Sequence, residues 1–127
     1  MTVMLDPWRD AATIAQRLTL PGNRLVLVLG AEAWCQKCRQ LRPAFDQAAA
    51  RAHPNDTWLW LDLEDHAEFL GDYIPDDLPL LLVYAGPTLQ VQRRVDEARD
   101  LLDWQSSGRP TYDPGVRERL LIQDWAF

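Results

Sequence analysis

The sequence predicts an α/β fold: a central mixed sheet flanked by helices, with an extra helical segment at the C-terminal end. Three observations predict it. Residues 25–29, 58–63 and 80–84 are runs too apolar for half-exposed strands, so they read as strands covered on both faces. The segments between them carry apolar residues at helical spacing. After the third run, Ala85-Gly86-Pro87-Thr88 turns the chain into a fourth, which makes that last pair an antiparallel hairpin.

The elements follow in order. Asp6 and Pro7 offer a cap and a first-turn proline, and Ala11, Ile14, Ala15 and Leu18 share one face, which predicts a helix over 7–18. Pro21-Gly22-Asn23 is a turn into the first strand, 25–29. Leu41, Phe45, Ala48 and Ala52 then mark a helix over 35–52 that runs through Pro43 and is closed by His53-Pro54-Asn55-Asp56. The second strand is 58–63. Asp65 is expected to cap a short helix holding Ala67, Phe69 and Leu70, and 71–77 is a loop. Strands over 80–84 and 89–95 follow, the second with Leu89, Val91 and Val95 on one covered face. Ala98, Leu101 and Leu102 mark a helix, 106–110 a loop, and Asp113-Pro114 repeats the capping device before Val116, Leu120 and Leu121.

At 127 residues, with 47% hydrophobic and 25% charged, the chain suits one globular domain over 1–127, its core at about 7–104 and an extension at 105–127. Thirteen basic against nineteen acidic residues give a net charge of −6, which repels phosphates and anionic lipid, so no nucleic-acid or membrane partner is expected. No apolar stretch approaches the about 18 residues of a membrane-spanning helix. The opening MTVMLDPWRD lacks the pattern of a secretory signal, so a cytoplasmic location is expected.

The chemistry lies in two cysteines, Cys35 and Cys38. Two are too few for a disulfide scaffold, and their spacing at a helix start puts both sulfurs on one face, where they can close a short disulfide. The first turn's free amides and the helix dipole favour a thiolate, the attacking species in thiol–disulfide exchange. A zinc site would need four ligands, and His53 and His66 stand outside any ligand spacing, so no metal is expected.

Trp34-Cys35-Gln36-Lys37-Cys38 after an apolar strand, with Pro43 five residues on and Pro79 before the 80–84 strand, resembles the thioredoxin family. Leu61-Asp62-Leu63-Glu64 is similar to that family's preceding strand end. The resemblance covers about 7–104 and implies a thioredoxin-like fold with Pro79 in cis. It also implies that Cys35 attacks a client disulfide, Cys38 resolves the mixed disulfide, and Trp34, Leu78 and Pro79 shape the docking groove. The partners so implied are a client protein with a disulfide and an external reductant, either a thioredoxin-reductase-like enzyme or a small thiol, with no cofactor.

Lys37, the single lysine of the chain, and the acidic Asp76 and Asp77 before the proline are the charged neighbours expected to modulate the thiols. Arg39 and Arg42 read as a solvated helix face. The tryptophans Trp8, Trp58, Trp60, Trp104 and Trp125 read as core or interface anchors. Two positions depart from the family. Its buried aspartate, six residues before the first cysteine, and its neighbouring lysine correspond to Leu29 and Trp60. Without that proton relay, release by Cys38 is expected to depend on pH, and Leu29→Asp to quicken it. The missing relay also admits an alternative reading, an assembly or chaperone-like binding module with secondary redox turnover.

Overall fold

Leu25, Val26, Leu27, Val28 and Leu29 are all buried, because the strand they form has a strand on each side and helices over both faces. The computed structural model describes residues 5–70, 78–86, 88–101, 111–112 and 120. The elements are α1 (Ala11–Leu18), β1 (Arg24–Gly30), α2 (Gln36–Ala50), β2 (Asp56–Asp62), α3 (Ala67–Leu70), β3 (Leu80–Ala85), β4 (Thr88–Arg94), a 3-10 turn (Ala98–Leu101) and β5 (Thr111–Tyr112).

The sheet is mixed, in the order β2-β1-β3-β4-β5. β1 runs parallel to β2, in register from Arg24 opposite Asp56 to Gly30 opposite Asp62. β3 is antiparallel to β1 and to β4, and β4 to β5. The Arg24 guanidinium meets both carboxylate oxygens of Asp56, at 2.9 and 2.8 Å, and pins the start of the parallel pair.

Period-two alternation splits the core into two layers. On one face Leu25, Leu27, Leu29, Leu59, Leu61, Leu80 and Leu82 pack against Ile14 and Leu18 of α1 and Phe69 and Leu70 of α3, with Leu120 buried among them. On the other, Val26, Val28, Trp58, Trp60, Leu81 and Val83 pack under Cys38, Leu41, Phe45, Ala48 and Ala49 of α2. The small alanines let α2 lie close to the sheet, and Phe45 meets Trp58 and Trp60 with ring centroids 5.8 and 5.4 Å apart.

Several expectations are corrected. The first helix begins at Ala11 rather than 7: the Asp6 carboxylate accepts from the N–H groups of Trp8 and Arg9, and closes a separate turn ahead of the helix. The turn before α3 is held by Asp62, which accepts from the N–H groups of Glu64 and Asp65, so Asp65 is not the capping acceptor. In β4 a bulge leaves Gln90 between Leu89, opposite Tyr84, and Val91, opposite Val83. The extra residue sends Leu89 to the leucine layer and Val91 and Val95 to the other, where the spacing had placed all three on one face. The helix expected from Ala98 is a single 3-10 turn among the described residues. The short edge strand β5 was not anticipated. The expectations for 71–77 (with Asp76 and Asp77), Pro87, 106–110 and the helix after Asp113-Pro114, Leu120 apart, lie outside the described residues, as do Trp104 and Trp125.

Candidate functional site

Cys35 and Cys38 are joined by a disulfide across the first turn of α2, with Cα atoms 5.2 Å apart. Cys35 is the N-cap residue, in extended backbone geometry, and its Sγ accepts from the N–H of Cys38 at 3.2 Å. The two sulfurs have different surroundings. Cys35 is half-buried, whereas Cys38 is sealed beneath the helix among Val, Trp and Phe side chains.

Trp34, next to Cys35 in the chain, is 61% exposed and is therefore not packed in the core. The Leu78–Pro79 peptide bond is cis; Pro79 is buried and Leu78 half-buried against both core layers. The Pro79 carbonyl accepts from the N–H of Val95 at 2.9 Å, which brings the end of β4 beside the proline. Lys37 turns across the helix start to Asp96, Nζ to Oδ1 3.5 Å, over a cavity of about 110 Å³ that Gln40, Leu41 and Glu97 also line. Both members of that pair are solvent-exposed, so it contributes little stability.

Leu29 needs correction. It points into the leucine layer with α1 and α3, and Cys38 belongs to the opposite layer. Leu29 is therefore not the residue beneath the resolving cysteine. Val28 and Trp60 are on that side, and Trp60 fills the space above Gly30, where an added Cβ would stand 2.5 Å from the indole ring. Among the described residues the side chains packed around Cys38 in this layer are apolar, with Cys35 at its edge and the Arg42 guanidinium over the Trp60 ring.

Polar groups that hold the segment before Cys35 come from residues to which the sequence assigned no role at the thiols. The buried carboxylate of Asp62, at the end of β2, accepts from the N–H of Glu32 at 2.9 Å, three residues before Cys35. Burial works to raise the Asp62 pKa, but the N–H groups of Glu32, Glu64 and Asp65 outweigh it and hold the carboxyl below its ordinary range. His66 accepts from the N–H of Asp62 through Nδ1 at 2.8 Å. Burial lowers its pKa, against the pull of Asp6, Asp65 and Asp62 and with a smaller push from Arg42. Arg42, read as solvated, is half-buried with its guanidinium 5.0 Å from the Trp60 ring centroid, and it meets Asp46 at 3.0 Å and Glu32 at 3.3 Å. A signal for Asp62 was present in the sequence: a carboxylate closing a buried apolar strand must find donors. For Arg42 only the i,i+4 pair with Asp46 was readable, since Glu32 and Trp60 come from the preceding loop and from β2.

Among the described residues no group of three His, Cys, Asp or Glu side chains is placed to hold a metal ion, and no helix is long and apolar enough to cross a membrane. No protein-family model matches the sequence, and no curated protein is similar to it in sequence. Solved structures are similar in fold. The germline-specific thioredoxin Deadhead of Drosophila melanogaster superposes with a TM-score of 0.62 at 14% identity, over 81% of this chain and 94% of that one. A malarial protein gives 0.53 at 17% identity, covering 79% and 99%. Human ERp44 gives 0.56 at 16% identity over 80% of this chain, which matches 30% of the length of ERp44. With a mixed sheet between two helical layers and a disulfide-forming Cys-x-x-Cys opening its second helix, the chain has the thioredoxin-like fold.

Proposed function

We propose that the protein is a thiol–disulfide oxidoreductase acting on client protein disulfides. One observation carries the reading: a half-buried Cys35 at a helix N-cap is paired in a disulfide with a fully buried Cys38. The asymmetry assigns the roles. Reduced Cys35, as thiolate, attacks one sulfur of a client disulfide; the client S–S bond breaks and the departing client thiolate takes up a proton. Cys38 then loses its proton and attacks the Cys35 sulfur of the mixed disulfide, releasing the second client thiol. The client gains two electrons and the protein is left with the Cys35–Cys38 disulfide, the state seen here. A small thiol or a reductase-like enzyme restores the dithiol, and no resident cofactor takes part. A reducing compartment such as the cytoplasm would favour this direction. Against an oxidising couple the same steps run backwards.

Trp34, Leu78 and Pro79 are the residues proposed to receive the client segment: Trp34 is exposed beside Cys35 in the chain, and Leu78, before the cis Pro79, packs against the same layer as Cys35. Lys37, held at Asp96, is proposed to modulate the thiols from the helix start, with Asp76 and Asp77 as further modulators. The second reading, a binding module that kept the fold, draws on the apolar side chains packed around Cys38.

Turnover of a disulfide substrate driven by dithiothreitol separates the two. Wild type is expected to accelerate reduction, Cys35→Ser to abolish it, and Cys38→Ser to accumulate client adducts on Cys35 detectable by mass spectrometry. No acceleration by wild type, or adducts on Cys38 alone in the Cys35→Ser protein, would reject the oxidoreductase reading.

A further inference from the structure

We propose that Asp62 and Arg39 are positioning residues for the redox pair, acting through the backbone of Glu32 to fix the loop that presents Trp34 and Cys35. The inference rests on the oxidoreductase reading and adds a device to it.

The five residues 31–35 link the end of β1 to the first turn of α2. Two of their hydrogen bonds are internal, from the N–H groups of Trp34 and Cys35 to the Ala31 carbonyl, at 3.2 and 2.8 Å. They curl the loop without fixing it to the sheet or to the helix. Cys35 is tied to the helix by the N–H groups of Arg39 and Cys38, at 3.2 Å each. The loop ahead of it is fixed through Glu32, whose N–H donates to Asp62 Oδ2 at 2.9 Å and whose carbonyl accepts from Arg39 Nη1 at 2.7 Å. Its carboxylate meets Arg42 Nη1 at 3.3 Å. One residue thus joins the end of β2 to both the first and the second turn of α2.

The three links differ in strength. Asp62 is 7% exposed and its carboxylate also holds the N–H groups of Glu64 and Asp65, so its orientation is over-determined and its bond to Glu32 is charge-assisted. The Arg39 link is short but exposed. The Glu32–Arg42 pair is long and half-exposed, the weakest class of contact. The device therefore uses the main chain of Glu32 more than its side chain. By holding the loop it keeps Cys35 in N-cap geometry, with Sγ facing the Cys38 N–H at 3.2 Å, the arrangement that stabilises a thiolate once the disulfide is reduced. A slackened loop loses part of that stabilisation. The reduced form then becomes less favourable, and the couple becomes more reducing.

The test uses the full chain and needs no client. Cys35 alkylation is followed from pH 5 to 9, and the Cys35–Cys38 potential is read by equilibration with glutathione. Asp62→Asn, which can no longer present two accepting oxygens, is expected to slow alkylation at neutral pH about threefold to tenfold, the range for loss of one hydrogen bond. Its alkylation midpoint moves upward and its potential becomes more negative. Arg39→Gln moves both in the same direction by less, Arg39→Lys restores wild-type values, and Glu32→Gln leaves both unchanged. Should Asp62→Asn not fold, Arg39→Gln decides, because Arg39 is at the surface. Variants that melt earlier but keep the wild-type alkylation profile and potential would overturn the proposal and leave Asp62 as a structural cap. Absence of client turnover in wild type would instead sink the oxidoreductase reading, and the thiol measurements would still stand or fall by themselves.

Discussion

The two layers of the core are built from different materials. Beneath α1 and α3 the sheet presents mainly leucine; beneath α2 it presents valine and tryptophan, topped by Phe45 and alanine. Leucine has two flexible dihedrals, whereas valine is stiff at χ1 and the aromatic rings interlock at fixed tilts. The redox cysteines open the helix on the stiff side. A disulfide that must open and reclose needs its two sulfurs to return to the same places, and a layer with few alternative rotamers provides that. The leucine layer has no such duty and serves stability.

The largest expected effects test that division. Phe45→Ala should cost about 3–5 kcal/mol and Leu59→Ala about 2–5 kcal/mol, both read by chemical denaturation. Only Phe45→Ala should also expose reduced Cys38 to alkylation. If Leu59→Ala speeds Cys38 alkylation equally, the two layers are not independent. Leu29→Asp sharpens the same contrast: an unpaired carboxylate buried among leucines should cost roughly 3–5 kcal/mol. Because Leu29 faces away from Cys38, release of a mixed disulfide should be no faster at any pH from 6 to 9, and a faster variant would restore the relay argument.

Gly30→Ala comes next. Its Cβ would stand 2.5 Å from Trp60, so the indole must shift against Phe45, at about 1–3 kcal/mol, with a change in tryptophan fluorescence. The smallest effect is that of acid. His66 and Asp62 both have lowered pKa values, so in each case the folded protein binds protons less readily than the unfolded chain. Stability should fall first as pH drops below the ordinary histidine value of 6.5, and again below the ordinary carboxyl value of 3.8. His66→Gln should flatten the first slope in a thermal-melt series and leave the second.

The strands and the redox motif were legible because each rests on local chemistry. Runs such as 25–29 cannot be half-exposed, and Trp34 through Cys38 with Pro43 and Pro79 carry their spacing openly. What escaped depends on contacts between distant segments. In a strand buried on both sides, sequence does not say which residues face which helix, so the relay expected of Leu29→Asp took no account of Leu29 lying in the layer away from Cys38. The same blindness hid the bulge in β4. Arg42 looked like surface because the rings it covers and the carboxylates it meets lie on α2, β2 and the preceding loop. β5 is two residues long, and two residues have no periodicity to read.

The bulge at Gln90 makes the length of the β3–β4 hairpin a fixed quantity. Deleting that one residue would restore unbroken alternation to the strand. Every side chain after it would then be asked to change sides: Val91 and Val95 toward α1, the arginines at 93 and 94 exchanging roles. The N–H that Val95 donates to Pro79 would be carried out of register as well. Substitutions at Gln90 should therefore be tolerated far better than its loss, and insertions or deletions in this protein belong before Thr88 or after Val95, never between them.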